Sequence, residues 1–344
     1  MFFASDNAGP VHPSVMDRVI AANTAHQMPY GKDTIMDEVR DSIREVFEAP
    51  QAEVFLVATG TAANALALAC YCHPWQTVFC AKTSHIQEDE CNAPEFYSSG
   101  AKLSLIDTED RMTPASLETV IAGQTVGNVH GAQPGPVSIT QVTERGTIYS
   151  LEELRALTAV AKHHNLPVHL DGARFANAMV ALECTAAEMS WKSGVDVVSF
   201  GGTKNGCMGV EAVVFFDPSK AWEFELRRKR GAHLFSKHRF LSAQMAGYLQ
   251  DNAFIEIARQ ANENAAYLAA GLRDVGAAFL HEPQANMVFA SWPRAVHQKL
   301  HAAGARYYLW GGELDGPAAE TVGARLVCDW SIGRDQIDQF LSHF

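Results

Sequence analysis

The sequence predicts an α/β protein built on a mainly parallel sheet. Seven short β-rich runs alternate with helical patterns, which implies crossover connections between parallel strands. The chain has 344 residues, long enough for one large α/β domain and a smaller one. Its hydrophobic content of 47% is typical of a protein with a sizeable core.

The predicted strands of the sheet come first along the chain. The helix after the first strand begins at Gly60-Thr61 and continues through an alanine-rich run that strongly favours helix. Ser150 and Glu153 have the spacing of a capping box, which predicts a helix through His164 and a strand directly after it. The seven predicted strands are residues 54–57, 77–80, 102–106, 137–141, 168–171, 196–200 and 211–216.

The pattern changes after Phe216. Residues 221–272 predict long helices, and two apolar strands, 287–292 and 325–330, follow with a short helical stretch between them. We therefore predict a large domain over residues 1–246 and a small domain over 247–344. No Pro/Ser-rich linker marks this boundary near Gly247.

Composition narrows the classes of partner. The net charge is −12 and the pI is about 5.6, which argues against nucleic acid. The one basic cluster, residues 227–230, is either a solvated helix face or a phosphate contact. The seven cysteines are scattered without C-x-x-C spacing, which predicts reduced thiols in a cytoplasmic protein and no metal site. We expect neither secretion nor membrane insertion, because no basic n-region or long apolar run is seen.

Two residues at predicted strand ends point to chemistry. Asp171 ends the strand in the run His169-Leu170-Asp171-Gly172-Ala173-Arg174, and Lys204 lies in a glycine-flanked turn after the next strand. Such residues can meet above the carboxyl edge of a sheet, where open α/β folds bind ligands. There a lysine can form a Schiff base and an aspartate can keep a pyridine nitrogen protonated. The alternatives are a solvated lysine and a helix N-cap aspartate. The pair favours a covalently bound aldehyde cofactor.

With these motifs the chain resembles the low-specificity L-threonine aldolases, fold-type I enzymes that depend on pyridoxal phosphate. The resemblance spans nearly the whole chain. The run Ser199-Phe200-Gly201-Gly202-Thr203-Lys204-Asn205-Gly206 is its most specific part, and residues 3–7 and 58–64 also match. Phenylserine aldolases share the general pattern, so the resemblance does not fix the aldehyde.

The resemblance implies roles for the cofactor-binding residues. Lys204 would hold the cofactor, Asp171 would bond its pyridine nitrogen, and His85 would stack on its ring. Gly60 and Thr61 would bind the phosphate, as a helix N-terminus presents free N–H groups. Arg230 would add a phosphate contact, and that contact could come from a neighbouring subunit. On sequence alone, a core histidine and a common turn explain His85 and Gly60-Thr61 equally well.

The same resemblance assigns the β-hydroxyl of the substrate to Asp89 and His130. Without it, Asp89 is simple surface charge within Glu88-Asp89-Glu90, and His130 is an ordinary loop histidine. Many threonine aldolases carry a histidine where this chain has Thr143. The general base therefore stays open between His85, His130 and a water held by Asp89 and His130.

The substrate carboxylate needs cationic partners. Arg174 and Arg325 are the candidates, with Ser5 as a hydroxyl donor, because guanidinium groups bind carboxylates through paired hydrogen bonds. Arg325 is predicted to open an apolar strand, where an unpaired charge is costly. Tyr30 matches a family position near the active site, and as a turn tyrosine it could equally be structural.

The expected function is a lyase that cleaves L-threonine and related β-hydroxy-α-amino acids to glycine and an aldehyde. Phenylserine aldolase activity, or a β-eliminating lyase or aminotransferase, are the alternatives within the same cofactor class. A nucleotide-binding or purely structural α/β protein has less support, because no glycine-rich nucleotide motif follows a predicted strand. A homotetramer is expected by resemblance only.

Overall fold

The computed structural model describes residues 1–344 and contains two β-sheets flanked by helices. The first sheet has seven strands, close to the seven that the sequence predicts. They are β1 (Glu53–Val57), β2 (Gln76–Ala81), β3 (Lys102–Ile106), β4 (Gln133–Thr140), β5 (Val168–Gly172), β6 (Val197–Gly201) and β7 (Glu211–Phe215). The second sheet has four strands: β8 (Ala278–Phe279), β9 (Met287–Pro293), β10 (Tyr308–Trp310) and β11 (Thr321–Val327).

Thirteen α-helices surround the sheets, and none combines the length and apolarity needed to cross a lipid bilayer. The helices of the first half are α1 (Pro13–Ala22), α2 (Thr34–Val46), α3 (Gly60–Ala69), α4 (His85–Glu88), α5 (Ala93–Tyr97), α6 (Pro114–Ala122) and α7 (Leu151–His163). Those of the second half are α8 (Phe175–Leu182), α9 (Ala221–Arg230), α10 (Arg239–Leu249), α11 (Ala253–Asp274), α12 (Arg294–Ala302) and α13 (Arg334–Leu341).

The large sheet has the strand order β1-β7-β6-β5-β4-β2-β3. Strands β2 to β6 run parallel to one another, whereas β7 is antiparallel to both of its neighbours, β1 and β6. A short turn joins β6 to β7, so no crossover helix is available to make that pair parallel. The prediction of a mainly parallel α/β sheet is confirmed, with β7 as its exception.

The two helix starts predicted from the sequence are confirmed. Helix α3 begins at Gly60, and α7 carries a full capping box in which Ser150 and Glu153 exchange hydrogen bonds with each other's backbone N–H. The second tail strand differs from its prediction. It runs from Thr321 to Val327, so Arg325 is the fifth residue of β11 and does not open it. Pairing with β9 draws the weakly patterned Thr321-Val322-Gly323-Ala324 into the strand.

The two largest of four hydrophobic clusters each pack against one of the two sheets. The larger has 51 buried residues around the seven-stranded sheet, and the second has 17 beneath the four-stranded sheet. Phe3 belongs to the second cluster, and its backbone accepts from Val327 N and donates to Arg306 O. The amino-terminal segment therefore runs along the C-terminal sheet before it reaches the large one. The division at residue 247 stays a prediction, and Gly247 itself lies within α10.

Candidate active site

A cavity of about 350 Å³ opens at the carboxyl edge of the large sheet, where β5 and β6 end and α3 begins. Both strand-end residues singled out from the sequence lie in its wall, and few of the lining residues are hydrophobic. The lining residues are Asn7, Ala58, Thr59, Gly60, Thr61, Asn64, His85, Asp89, Asp171, Ala173, Thr203, Lys204 and Glu211.

Lys204 lies in a single 3₁₀ turn, Thr203–Asn205, directly after β6. The turn is held from below, because Asn205 Nδ2 donates to Tyr248 Oη at 2.8 Å and to Phe254 O at 2.9 Å. It ends at Gly206, whose φ of +95° is a conformation that L side chains rarely adopt. Lys204 makes no ion pair, so its amine is available to a ligand.

Asp171 is buried on β5 and acts as an acceptor on both oxygens. Oδ1 accepts from Ala173 N at 3.1 Å, and Oδ2 accepts from Asn64 Nδ2 at 2.8 Å. The helix-cap alternative is wrong, because α8 begins at Phe175 with Arg174 at the cap position. Each carboxylate oxygen thus accepts one N–H donor, and an acidic acceptor of this kind suits the hydrogen-bond partner of a protonated ring nitrogen.

The start of α3 offers an anion site. Thr59 caps the helix through a hydrogen bond from Ala62 N to its Oγ1 at 3.2 Å, which leaves the N–H groups of the first turn directed toward the cavity. A Cβ placed on Gly60 would meet nothing within 4 Å. An anionic group can therefore approach the backbone there without a clash.

His85 belongs to a buried hydrogen-bond network that the sequence did not indicate. His85 Nδ1 lies 2.8 Å from Glu90 Oε1, and Asn64 Nδ2 donates to that same oxygen at 2.9 Å. The surface-charge interpretation is wrong for Glu90, which is buried, although Glu88 and Asp89 are exposed. The sequence does carry one indication that Asn64 is functional. Asparagine is unfavourable inside an alanine-rich helix unless its side-chain amide makes specific hydrogen bonds.

The pKa values in this network move in defined directions. The hydrogen bond to Glu90 raises the pKa of His85 above its ordinary value. Burial raises the pKa of Glu90, and the charge of nearby Asp171 adds to that rise. Both shifts favour a proton held between the imidazole and the carboxyl group.

Glu211 is a second buried carboxyl that the sequence analysis missed. It is the cross-strand partner of both Val57 and Gly201, so it lies between the strand that leads to α3 and the strand that leads to Lys204. Glu211 Oε2 accepts from Gly202 N at 2.8 Å. Burial raises the pKa of Glu211 to about 7.

The two candidate carboxylate-binding arginines lie on either side of the amino-terminal segment. Arg174 is buried and donates from Nε and Nη2 to Asp6 at 2.6 and 3.0 Å, while its Nη1 has no partner in the chain. Arg325 is half-buried and makes only two long contacts, from Nη1 to Ala4 O at 3.5 Å and from Nη2 to Met287 Sδ at 4.0 Å. Burial, with the neighbouring charge of Arg174, lowers the pKa of Arg325. Two cations that repel one another at short range favour an anion between them.

Ser5 lies in this same segment, where its Oγ accepts from Asn7 N at 3.1 Å. Asn7 is a further lining residue that the sequence did not single out. Asp89 directly follows α4 and lines the cavity together with His85, the first residue of that helix.

The remaining candidates lie outside this cavity. Arg230 lines a separate surface cavity with Phe96 and Tyr97, and Tyr30 lies in another beside Lys229. His130 is exposed in a turn where its backbone N donates to Asn128 Oδ1. Thr143, which stands where many threonine aldolases have histidine, bonds Asp110 Oδ2 at 3.0 Å.

Comparison with known proteins gives concordant matches. The family model described as Beta-eliminating lyase matches residues 3–293. The low specificity L-threonine aldolase of Pseudomonas aeruginosa is 41% identical over 337 residues, covering 97% of this chain and 94% of that protein. The corresponding protein of Escherichia coli K12 is 24% identical over 343 residues, 99% of this chain and 97% of its own length.

Solved structures agree with the sequence matches. A threonine aldolase of Leishmania major superposes with a TM-score of 0.92 at 27% identity, covering 99% of this chain and 97% of that chain. A serine palmitoyltransferase of Sphingomonas wittichii shares the fold, with a TM-score of 0.73 at 17% identity over 100% of this chain and 86% of that one. The family model covers most of the chain, and the Pseudomonas relative matches it nearly end to end. The chain therefore belongs to the Beta-eliminating lyase family and, within it, to the low-specificity L-threonine aldolases.

Proposed function

We propose that the chain is a pyridoxal-phosphate-dependent aldolase that cleaves L-threonine and related β-hydroxy-α-amino acids to glycine and an aldehyde. The observation that carries the proposal is the placement of Lys204, Asp171 and the start of α3 around one cavity. Membership of the threonine aldolases supports the same conclusion. L-Phenylserine is the alternative substrate, and the cavity does not rank the two aldehydes.

The residues present fit this cofactor. Its aldehyde requires an unpaired amine, which Lys204 offers, and its pyridine nitrogen requires a carboxylate, which Asp171 offers. Its phosphate requires backbone donors with room for close approach, and the open space at Gly60 beside the hydroxyl of Thr61 provides both. When bound, pyridoxal phosphate supplies a ring that takes up the electron pair released when the Cα–Cβ bond breaks.

In this proposal the chain's own groups hold the reactants and move one proton. Lys204 would hold the cofactor through its amine, which lies at the cavity wall without an ion-pair partner. Asp171 keeps a proton on the ring nitrogen, a task suited to a carboxylate that already accepts two N–H donors. His85 and Asp89 lie in the cavity wall, and we assign the β-hydroxyl proton to this pair. His130 lies outside the cavity and stays a prediction from resemblance.

The substrate carboxylate is assigned to the space between Arg174 and Arg325, with Ser5 as an additional donor. Arg174 keeps Nη1 free, and Arg325 has no ion-pair partner. An anion bound there would relieve the repulsion between the two guanidinium groups. Asp6 holds Arg174 in place for this contact.

Arg230 and Tyr30 are assigned to the active site of a neighbouring subunit in a homotetramer. Their distance from this chain's cavity is consistent with that arrangement, because both lie on an exposed face that also carries Trp222 and Leu226. We further propose that the protein acts in the cytoplasm on a small-molecule amino acid, which agrees with its seven free thiols.

The decisive experiment mixes the purified protein with L-threonine and, separately, with L-phenylserine. Aldehyde release and the visible absorbance of bound cofactor are measured for wild type, Lys204→Ala and the matched control Lys299→Ala, an exposed lysine on α12. We expect Lys204→Ala alone to lose both signals, because only Lys204 can hold the cofactor. A Lys204→Ala protein that still releases aldehyde at the wild-type rate would contradict the proposal.

The same assay distinguishes the aldolase from the alternative function. The matching family model is described as Beta-eliminating lyase, so a wild-type protein that binds the cofactor but releases no aldehyde would move the assignment to a β-eliminating lyase or an aminotransferase. Formation of ammonia and an oxo acid from β-substituted amino acids would then identify the former.

A further inference from the structure

The carboxyl group of Glu90 lies between His85 and Asn64, two residues that line the proposed site, and it has no role in the reaction described above. Its side chain is 0% exposed. Its neighbours Glu88 and Asp89, by contrast, face solvent. Removing a carboxyl group from water is costly unless the group is paired and hydrogen-bonded. The contacts of Glu90 must therefore supply that compensation.

All of those contacts meet at one oxygen. Glu90 Oε1 lies 2.8 Å from His85 Nδ1 and accepts from Asn64 Nδ2 at 2.9 Å. The same Nδ2 donates its other hydrogen to Asp171 Oδ2 at 2.8 Å. One amide group thus joins the His85-Glu90 pair to the carboxylate that is assigned to the ring nitrogen.

The direction of these hydrogen bonds follows from the groups involved. If the side-chain amide of Asn64 were flipped, its oxygen would face two carboxylate oxygens. Only the orientation in which Nδ2 donates to both is therefore favourable. Glu90 Oε1 is therefore already an acceptor. A proton on Glu90 Oε2 would find no partner, because that buried oxygen has none. Between Nδ1 of His85 and Oε1 of Glu90 the proton is favoured on Nδ1, because the hydrogen bond that Oε1 accepts from Asn64 stabilises the ionised carboxylate.

We propose that Glu90 is a positioning residue that keeps a proton on Nδ1 of His85, and that Asn64 couples this pair to Asp171. The Nε2 atom of His85 is then the ring nitrogen that is free to meet a reactant. The consequence for catalysis rests on the function proposed above, whereas the protonation of Nδ1 is a property of the chain itself. Carboxylate groups commonly orient a histidine in this way at functional sites.

The charges around His85 define the expected pH behaviour. Glu90 beside it, Asp171 on β5 and Glu144 after β4 favour the protonated imidazole, and Lys204 after β6 opposes it. Glu90 is the only one of these in hydrogen-bond contact with the ring. Loss of its charge should therefore lower the proton affinity of His85 more than the loss of any distant charge.

The test uses holoenzyme labelled with ¹⁵N-histidine and solid-state ¹⁵N spectra, with His85 assigned by comparison with a His85→Asn sample. In wild type we expect a protonated Nδ1 throughout the titration. In Glu90→Gln we expect Nδ1 to stay protonated while the pKa of His85 falls by about 1 to 2 units, because the neutral amide still accepts a hydrogen bond but carries no charge. The matched control Glu88→Gln removes an exposed carboxylate two residues away and should leave the titration unchanged.

Two outcomes would overturn the proposal: a bare Nδ1 in wild type, or an unchanged pKa of His85 in a folded Glu90→Gln protein. If Glu90→Gln does not fold, the wild-type spectrum decides by itself. The visible spectrum of bound cofactor and the pH profile of aldehyde release should shift to lower pH with the same variant, which a purely structural role would not produce. Because the spectra are recorded without substrate, a protein that releases no aldehyde would still report on Glu90.

Discussion

At the scale of single residues, buried charge decides which side chains hold the site in shape. Asp6 and Arg174 form a two-point ion pair with both side chains almost fully buried, and Asn286 Nδ2 donates to Asp6 Oδ2 at 3.0 Å as well. Burial raises the pKa of Asp6, but the charges of Arg174 and Lys204 outweigh it, so the net shift is downward. The pair joins the amino-terminal segment to the end of β5.

Replacement of Asp6 by Asn should be strongly destabilising. It leaves the guanidinium group of Arg174 buried without a counter-charge, which typically costs about 3 to 5 kcal/mol. Urea unfolding of the variant measures this loss. Glu48→Gln breaks the solvent-exposed pair with Lys192, and we expect it to cost far less, because solvent screens that pair. Equal losses for the two variants would contradict the assignment of Asp6 and Arg174 as a structural pair.

His169 should make the protein sensitive to acid. It is buried on β5 between Ser138 Oγ at 2.9 Å and Ser199 Oγ at 3.0 Å. Burial lowers its pKa from 6.5 to about 4. Between these values the unfolded chain binds a proton that the native state does not, so stability is full above pH 6.5 and falls toward pH 4.

By pH 4 the protonation of His169 in the unfolded chain should lower the free energy of unfolding by on the order of 3 kcal/mol. His169→Asn should flatten the dependence of the free energy of unfolding on pH across this window. His26→Asn, at an exposed histidine, should not. Unfolding curves at half-unit pH steps make the comparison, and parallel slopes for wild type and His169→Asn would refute the prediction.

At the scale of elements, the close approach of β5 and β6 sets the distance between Asp171 and Lys204. A Cβ on Gly201 would lie 2.3 Å from Ala173 O and 2.8 Å from Gly172 O. Only glycine allows the two strand ends to lie so close. The glycines of the lysine motif are thus explained by strand packing as well as by the turn.

Gly201→Ala should force these strand ends apart. We expect a loss of roughly 1 to 3 kcal/mol in stability and weaker cofactor binding, because overpacking displaces the backbone that carries Lys204. Gly209→Ala, in the same connection to β7, is the matched control, since its Cβ would approach Ala58 O no closer than 3.5 Å. Cofactor titration and thermal unfolding of both variants test the prediction, which fails if Gly201→Ala binds cofactor as well as the control does.

At the scale of the whole molecule, our proposal assigns Arg230 to the active site of a second copy of the chain. If Arg230 serves the neighbouring cavity, Arg230→Ala and Lys204→Ala carry their defects on different sides of the same interface. Co-expression of the two inactive variants should then restore about a quarter of wild-type activity. Half of the randomly formed pairs contain one subunit of each variant, and each such pair has one intact site out of two.

Co-expression of Asp171→Ala with Lys204→Ala is the control for this prediction. Both of those defects lie in a chain's own cavity, so no pairing creates an intact site. Co-purification through an affinity tag carried by only one of the two variants checks that mixed assemblies form. Mixed assemblies of the Arg230 and Lys204 variants with no recovered activity would place Arg230 outside the neighbouring site.

Much of the fold and part of the site could be predicted from sequence. The alternation of strands and helices, the starts of α3 and α7, and the two short strand-end runs that carry Asp171 and Lys204 are local patterns, each encoded within a few neighbouring residues. The position of strand-end residues on one sheet edge follows from parallel topology. These features therefore required no knowledge of distant contacts.

Only the tertiary structure decided the rest. The burial of Glu90, its link through Asn64 to Asp171, and the pairing of Arg174 with Asp6 join residues far apart in the chain. The direction of β7 and the position of Arg325 within β11 likewise depend on partner strands. Local sequence determines what a segment can form, whereas burial, charge pairing and proton affinity depend on what the fold packs against it.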